Sequence, residues 1–135
     1  MADLTSRIIL YSNTLFPIPI NVDITATEQI YGSADSQNIN IPIGETVTLY
    51  GPSSNANVSN TVYLYAQSPA TNTGNINIYF IDTNNSSSFI STLLPNDFIW
   101  LPVSSYSSGI AIKANSTNGI SDSNINVIWG EKVKF

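Results

Sequence analysis

The chain predicts an all-β protein, a single antiparallel β-sandwich or jelly roll of about eight to nine strands. Three observations carry that prediction. Apolar residues recur with a period of two, as in Ile18, Ile20, Val22, Ile24 and Ala26, the pattern of a strand with one buried face. Turn-forming clusters interrupt the alternation at short intervals, at Pro42 with Gly44, at Gly51-Pro52-Ser53-Ser54-Asn55, at 68–74 and at Asn118-Gly119. Nowhere do apolar residues recur at three- and four-residue spacing over three helical turns, and β-branched Ile, Val and Thr are abundant.

Taken in order, Arg7–Ser12 reads as a first strand and Ile18–Ala26 as a second. Ile39, Ile41 and Ile43 alternate next, and the Pro42–Gly44 turn separates them from Val47 and Leu49. Val62, Leu64 and Ala66 follow, then Ile76, Ile78 and Phe80. Asn84-Asn85-Ser86-Ser87-Ser88 reads as a polar loop, and Phe98–Val103 as the next strand. Ile110, Ile112 and Ala114, then Ile125, Val127 and Trp129, give two more strands. Val133 and Phe135 alternate with Lys132 and Lys134 in a short terminal one. Residues 1–6 have little pattern and are expected to form a flexible arm, leaving 7–135 as one sandwich domain.

Composition narrows the function classes. The chain of 135 residues has no Cys and no His. It therefore lacks an imidazole base, a thiolate nucleophile, a disulfide and a Cys- or His-ligated metal. No cofactor is expected, and an enzyme is the least favoured class. Charged residues make up 10% of the chain, well below the average of about 25%. Its surface must therefore be covered mainly by Asn, Ser, Thr and Gln. Four basic residues against nine acidic ones give a net charge of −5, which argues against nucleic-acid binding. No apolar run is long enough to span a membrane as a helix. The first residues contain no basic segment followed by an apolar core, so synthesis in a cytoplasm is expected.

Three segments are apolar on both faces. Val62 and Leu64 oppose Tyr63 and Tyr65; Ile78 and Phe80 oppose Tyr79 and Ile81; Phe98 and Trp100 oppose Ile99 and Leu101. A two-layer sandwich leaves one face of each sheet in water, so a second apolar face requires a second cover. Either another part of the chain folds over it, or a subunit does. Aromatic enrichment and charge depletion are properties of interface cores. On that basis Tyr63, Tyr65, Tyr79 and Ile81 are candidate interface residues. Val133 and Phe135 join them, because the last strand either closes the sandwich or adds to a neighbour's sheet edge.

Other groups that could carry chemistry are sparse. Nine carboxylates always offer some pair, but none is marked by spacing. Asp82-Thr83-Asn84-Asn85-Ser86 has alternating oxygen ligands like the start of a calcium loop, yet Ser87 and Leu93 stand where Gly and Glu are needed. Trp100 and Trp129 lie in strongly apolar segments and are expected in the core rather than in a sugar-stacking platform.

Three stretches carry a resemblance: Gly44-Glu45-Thr46-Val47-Thr48-Leu49-Tyr50, Asn75-Ile76-Asn77-Ile78-Tyr79-Phe80, and Gly109-Ile110-Ala111-Ile112-Lys113-Ala114 with Ile125-Asn126-Val127-Ile128-Trp129. Their rhythm resembles that of small β-sandwich virion proteins of tailed bacteriophages, namely head decoration (cement) proteins and fibre or neck domains. The resemblance implies a β-sandwich on the virion surface, often trimeric, that binds the major capsid protein or another virion protein and stabilises the head. The alternative it implies is a fibre, collar or tail component with a receptor- or glycan-binding role. No site residues carry over from it, and the apolar–Pro N-terminal third has no counterpart in it.

Overall fold

A computed structural model describes residues 2–15, 17–30, 34–51, 60–81, 86–104, 111–117 and 119–133. They contain ten strands: β1 (Ala2–Ser12), β2 (Ile20–Ile30), β3 (Ala34–Ile41), β4 (Thr46–Tyr50), β5 (Asn60–Gln67), β6 (Asn75–Ile81), β7 (Ser87–Leu93), β8 (Phe98–Ser104), β9 (Ala111–Thr117) and β10 (Ser123–Val133). All pairings are antiparallel.

The last eight strands pair as a nest. β6 pairs with β7, β5 with β8, β4 with β9 and β3 with β10, so the segment is one long ribbon doubled back between β6 and β7. Rolling that ribbon adds two pairs, β10 with β5 and β9 with β6. The result is two four-stranded sheets, β3-β10-β5-β8 and β4-β9-β6-β7. This is the connectivity of a jelly roll.

Alternation decides what lies between the sheets. Leu64, Ala66, Ile125 and Val127 from one sheet meet Ile76, Ile78, Ile112 and Ala114 from the other, all essentially without solvent contact. Leu49 and Tyr50 are consecutive yet both buried, which strict alternation forbids. A bulge between Thr48 and Tyr50 in the pairing with β9 resolves this by turning both inward. Tyr50 then reaches across the core. Its hydroxyl donates to Glu131 Oε1 at 2.8 Å, and its ring meets Trp129 edge-on at 5.0 Å. The buried Glu131 carboxylate is thus hydrogen-bonded to the opposite sheet.

Several expectations change. The arm expected over residues 1–6 is, from Ala2 on, the start of β1, which pairs with β2 along its whole length. The Ile18–Ala26 segment does contain a strand, but Ile18 and Ile24 are exposed, because β1 and β2 form a ribbon outside the roll. Residues from Ser87 on are a strand rather than a loop, and a bulge opposite Ile78 and Tyr79 interrupts its alternation. Ile43 lies in the turn after β3 and is exposed. Of the expected terminal strand, Lys132 and Val133 are the end of β10 and pair with β5.

Candidate docking surfaces

One end of the roll gathers the connections 42–45, 68–74, 94–97 and 119–122. Three of them hold a local turn, with Glu45 N–H donating to Pro42 O, Asn72 N–H to Pro69 O and Asp97 N–H to Leu94 O. Carboxylates then tie backbone: Asp97 accepts from the Leu94 N–H and Asp122 from the Ile43 N–H. The connections are also joined to one another. Ser68 N–H donates to Asp97 O at 2.9 Å and Asn96 N–H donates to Ser68 O at 2.8 Å. Thr73 Oγ1 accepts from the Ile120 N–H and lies 3.2 Å from Ser121 Oγ.

Asn72 is the centre of this end. Its buried side chain donates to Ser68 Oγ at 2.9 Å and to Asn124 O at 2.8 Å, and accepts from Asn124 N–H at 2.9 Å. It offers the first residues of β10 the donor and acceptor that a neighbouring strand would supply. Out of this hydrogen-bonded end stand three large apolar side chains, Ile43, Leu94 and Ile120, each more than half exposed.

The two outer faces of the roll differ. On the β4-β9-β6-β7 sheet, Asn77 donates to Asn115 Oδ1 and accepts from Thr92 Oγ1, and Tyr79 meets Phe89 edge-on at 5.9 Å. Lys113 is beside Tyr79 in register, and with Thr46 and Ser87 they border a shallow groove of about 330 Å³. On the other sheet, Asn38, Asn126 and Gln67 form a hydrogen-bonded amide row. Next to it are Ile128, Tyr65 and Trp100, which are register partners. Tyr63 stacks on Trp100 at 6.1 Å, and Tyr65 lies 6.2 Å from Phe98.

The β1–β2 ribbon runs over this aromatic face. Leu4, Ser6 and Ile8 sit above Tyr65, Phe98, Trp100 and Ile128, leaving a gap of about 260 Å³. On the ribbon's other face Arg7 clamps Asp23 through two hydrogen bonds, 2.9 and 2.6 Å. These bonds hold the Asp23 carboxyl below its ordinary pKa. A depressed carboxylate contributes stability that is complete above the unfolded value and lost as pH falls through the folded one. An NMR pH titration is therefore expected to show Asp23 protonating below ordinary aspartate, and rising toward it in Arg7→Ala.

The candidate interface residues do not share one surface. Tyr63 and Tyr65 lie on the aromatic face, while Tyr79 and Ile81 are on the opposite sheet, because the chain changes sheets between β5 and β6. Val133 pairs through its backbone with Asn60 in β5, and Phe135 lies outside the described residues. Trp129 packs against the core as expected, whereas Trp100 faces outward under the ribbon. The calcium-like run at 82–86 falls mostly outside the described residues. Among the described residues no three acidic side chains converge into a group able to hold a metal ion. Neither the loop end nor the role of Asn72 was anticipated from sequence; the one available signal was apolar residues placed among turn formers.

No protein-family model matches the sequence, and no curated protein matches it. Among solved structures, the crystal structure of a mitogen derived from Yersinia pseudotuberculosis is similar over 73% of this chain and 85% of that one, at 16% identity and a TM-score of 0.47. A chain in the structure of infectious bursal disease virus, Gx strain, is similar over 90% of this chain at 12% identity and a TM-score of 0.32. This chain spans 36% of that one's length.

Proposed function

We propose that the chain is a structural protein of a tailed-phage virion, a decoration protein seated on the outer surface of the head and bound to the major capsid protein. The observation that carries this reading is the hydrogen-bonded end of the roll with Ile43, Leu94 and Ile120 projecting from it. Such an end is pre-organised, so little ordering entropy is lost when its apolar tips are buried. Its carboxylates Asp97 and Asp122 already accept backbone hydrogen bonds. The low charge of the whole chain and the motif resemblance support the same reading. Binding to the assembled shell and not to its dissociated subunits would stabilise the shell by mass action, and repeated contacts would add by avidity.

Quantitative mass spectrometry of purified particles tests it. Copies in the hundreds, near a simple ratio to the shell subunit, are expected. A handful would move the chain to the neck, tail or fibres, and none would end the virion reading. Apolar docking also predicts that binding survives moderate salt, since screening weakens contacts between exposed charges and leaves apolar burial intact.

A further inference from the structure

The β1–β2 ribbon has more apolar surface than its own sandwich covers. A two-stranded ribbon is marginal in water by itself and persists by burying one face. The ribbon's inner face begins with Leu4, Ser6 and Ile8, which lie on the aromatic sheet face. Period two continues that face through Leu10 and, on β2, through Val22 and Ile24, the register partners of Leu10 and Ile8. There the support ends: Leu10 is 56% and Ile24 59% exposed. Leu15 and Ile18, in the connection between the strands, are more exposed still.

The sandwich has the converse deficit. Beneath the seated half of the ribbon, Phe98 remains 57% and Ile128 41% exposed. The two uncovered surfaces match in chemistry. The inner face from Ile8 to Ile24 carries no charge, because Arg7 and Asp23 lie on the opposite face and neutralise each other. The described side chains of the aromatic face, Tyr63, Tyr65, Phe98, Trp100 and Ile128, are likewise uncharged. Within one chain, the seated half of the ribbon already lies opposite this sheet face, and the two line a common gap. A ribbon paired in one straight register cannot also turn back to cover what its first half leaves open.

We propose that the distal half of the ribbon docks on the aromatic sheet face of a second copy of this chain. The contact is heterologous, ribbon to face, so it closes into a ring or continues from copy to copy. It continues the apposition already present within the chain, and none of the described side chains it joins is charged. The assembly is a property of the chain itself and does not depend on the virion reading; absence from particles would leave it intact.

Size-exclusion chromatography with light scattering, on the full chain at tens of micromolar, tests this. The wild type is expected at a multiple of 14.6 kDa. Leu10→Ser with Ile24→Ser, which alters only ribbon positions that are more than half exposed, is expected to run at the single-chain mass with unchanged circular dichroism. Phe98→Ser, which alters the accepting face, is expected to do the same. An equal mixture of the two variants should recover a species of twice the single-chain mass, because one intact ribbon then meets one intact face. A monomeric wild type would overturn the proposal, including one that binds only a different protein through the ribbon. So would variants that keep the wild-type mass, or a mixture that recovers nothing.

Discussion

Asn72→Ala is expected to lower stability by about 2–4 kcal/mol, because it strips partners from part-buried backbone and a buried hydroxyl rather than merely removing a contact. The Asn72 amide satisfies both the N–H and the C=O of Asn124 and also holds Ser68 Oγ. Alanine leaves all three without that partner at a place where Ser68 and Ser123 have no solvent exposure. At roughly 3 °C per kcal/mol for a domain of this size, the midpoint of thermal unfolding should fall by about 6–12 °C. Asn72→Asp separates hydrogen bonding from volume. It keeps an acceptor for the Asn124 N–H but sets a carboxylate oxygen against the Asn124 carbonyl, so it should be at least as damaging as alanine despite its near-identical shape. An aspartate variant as stable as the wild type would show that the side chain only fills space.

Gly74→Ala is the second large effect, and its origin is steric. A Cβ at position 74 would lie 2.6 Å from Thr117 O and 2.7 Å from Gly119 Cα. Both obstacles are backbone, so no side chain can swing aside. The 68–74 and 119–122 connections would have to separate, breaking the bonds of Thr73 to Ile120 N–H and Ser121 Oγ. Overpacking of this kind costs typically 1–3 kcal/mol, and a clash confined between two backbones belongs at the upper end, about 3 kcal/mol. Gly51→Ala is the control: among the described residues a Cβ there meets only Thr48 Cγ2 at 4.0 Å, and its denaturation midpoint should stay near that of the wild type. Because Gly74 lies beneath the loop that presents Ile120, the proposed docking through that end predicts that the variant binds the shell more weakly under conditions where it is still folded.

The strands were legible wherever one face is buried in the roll. Leu64 with Ala66, Ile76 with Ile78, Ile112 with Ala114 and Ile125 with Val127 alternate in sequence and point into the core. Periodicity failed where a bulge or an unusual cover intervened. Ser87–Leu93 begins with serines and is interrupted by a bulge, so neither composition nor period marked it. Ile18–Ala26 has a strong period that reports a ribbon, not a strand of the roll, because alternation records a one-sided preference and not what covers that side. Tyr63 and Tyr79 look equivalent in sequence, yet sheet membership depends on pairings with residues far along the chain. The aromatic face was recognisable as needing a cover; that the cover is the chain's own N-terminal ribbon required the three-dimensional arrangement. Asn72 left no trace, since a buried asparagine that completes a sheet and an exposed one in a turn have the same neighbours in sequence.

The nested pairing has a consequence for how the chain is made. Ile41 finds its partner at Ser123, and the strand that begins there runs between two others in its sheet. A ribosome that has released everything up to β9 holds a chain whose β3 and β5 still lack the neighbour that joins them. Pairings between such distant residues also make folding slow, on the scale of milliseconds to seconds. During synthesis the Ile- and Tyr-rich strands therefore wait with open edges. A nascent chain stalled before residue 123 should be protease-sensitive and a strong substrate for chaperones, and should become resistant only once β10 has emerged.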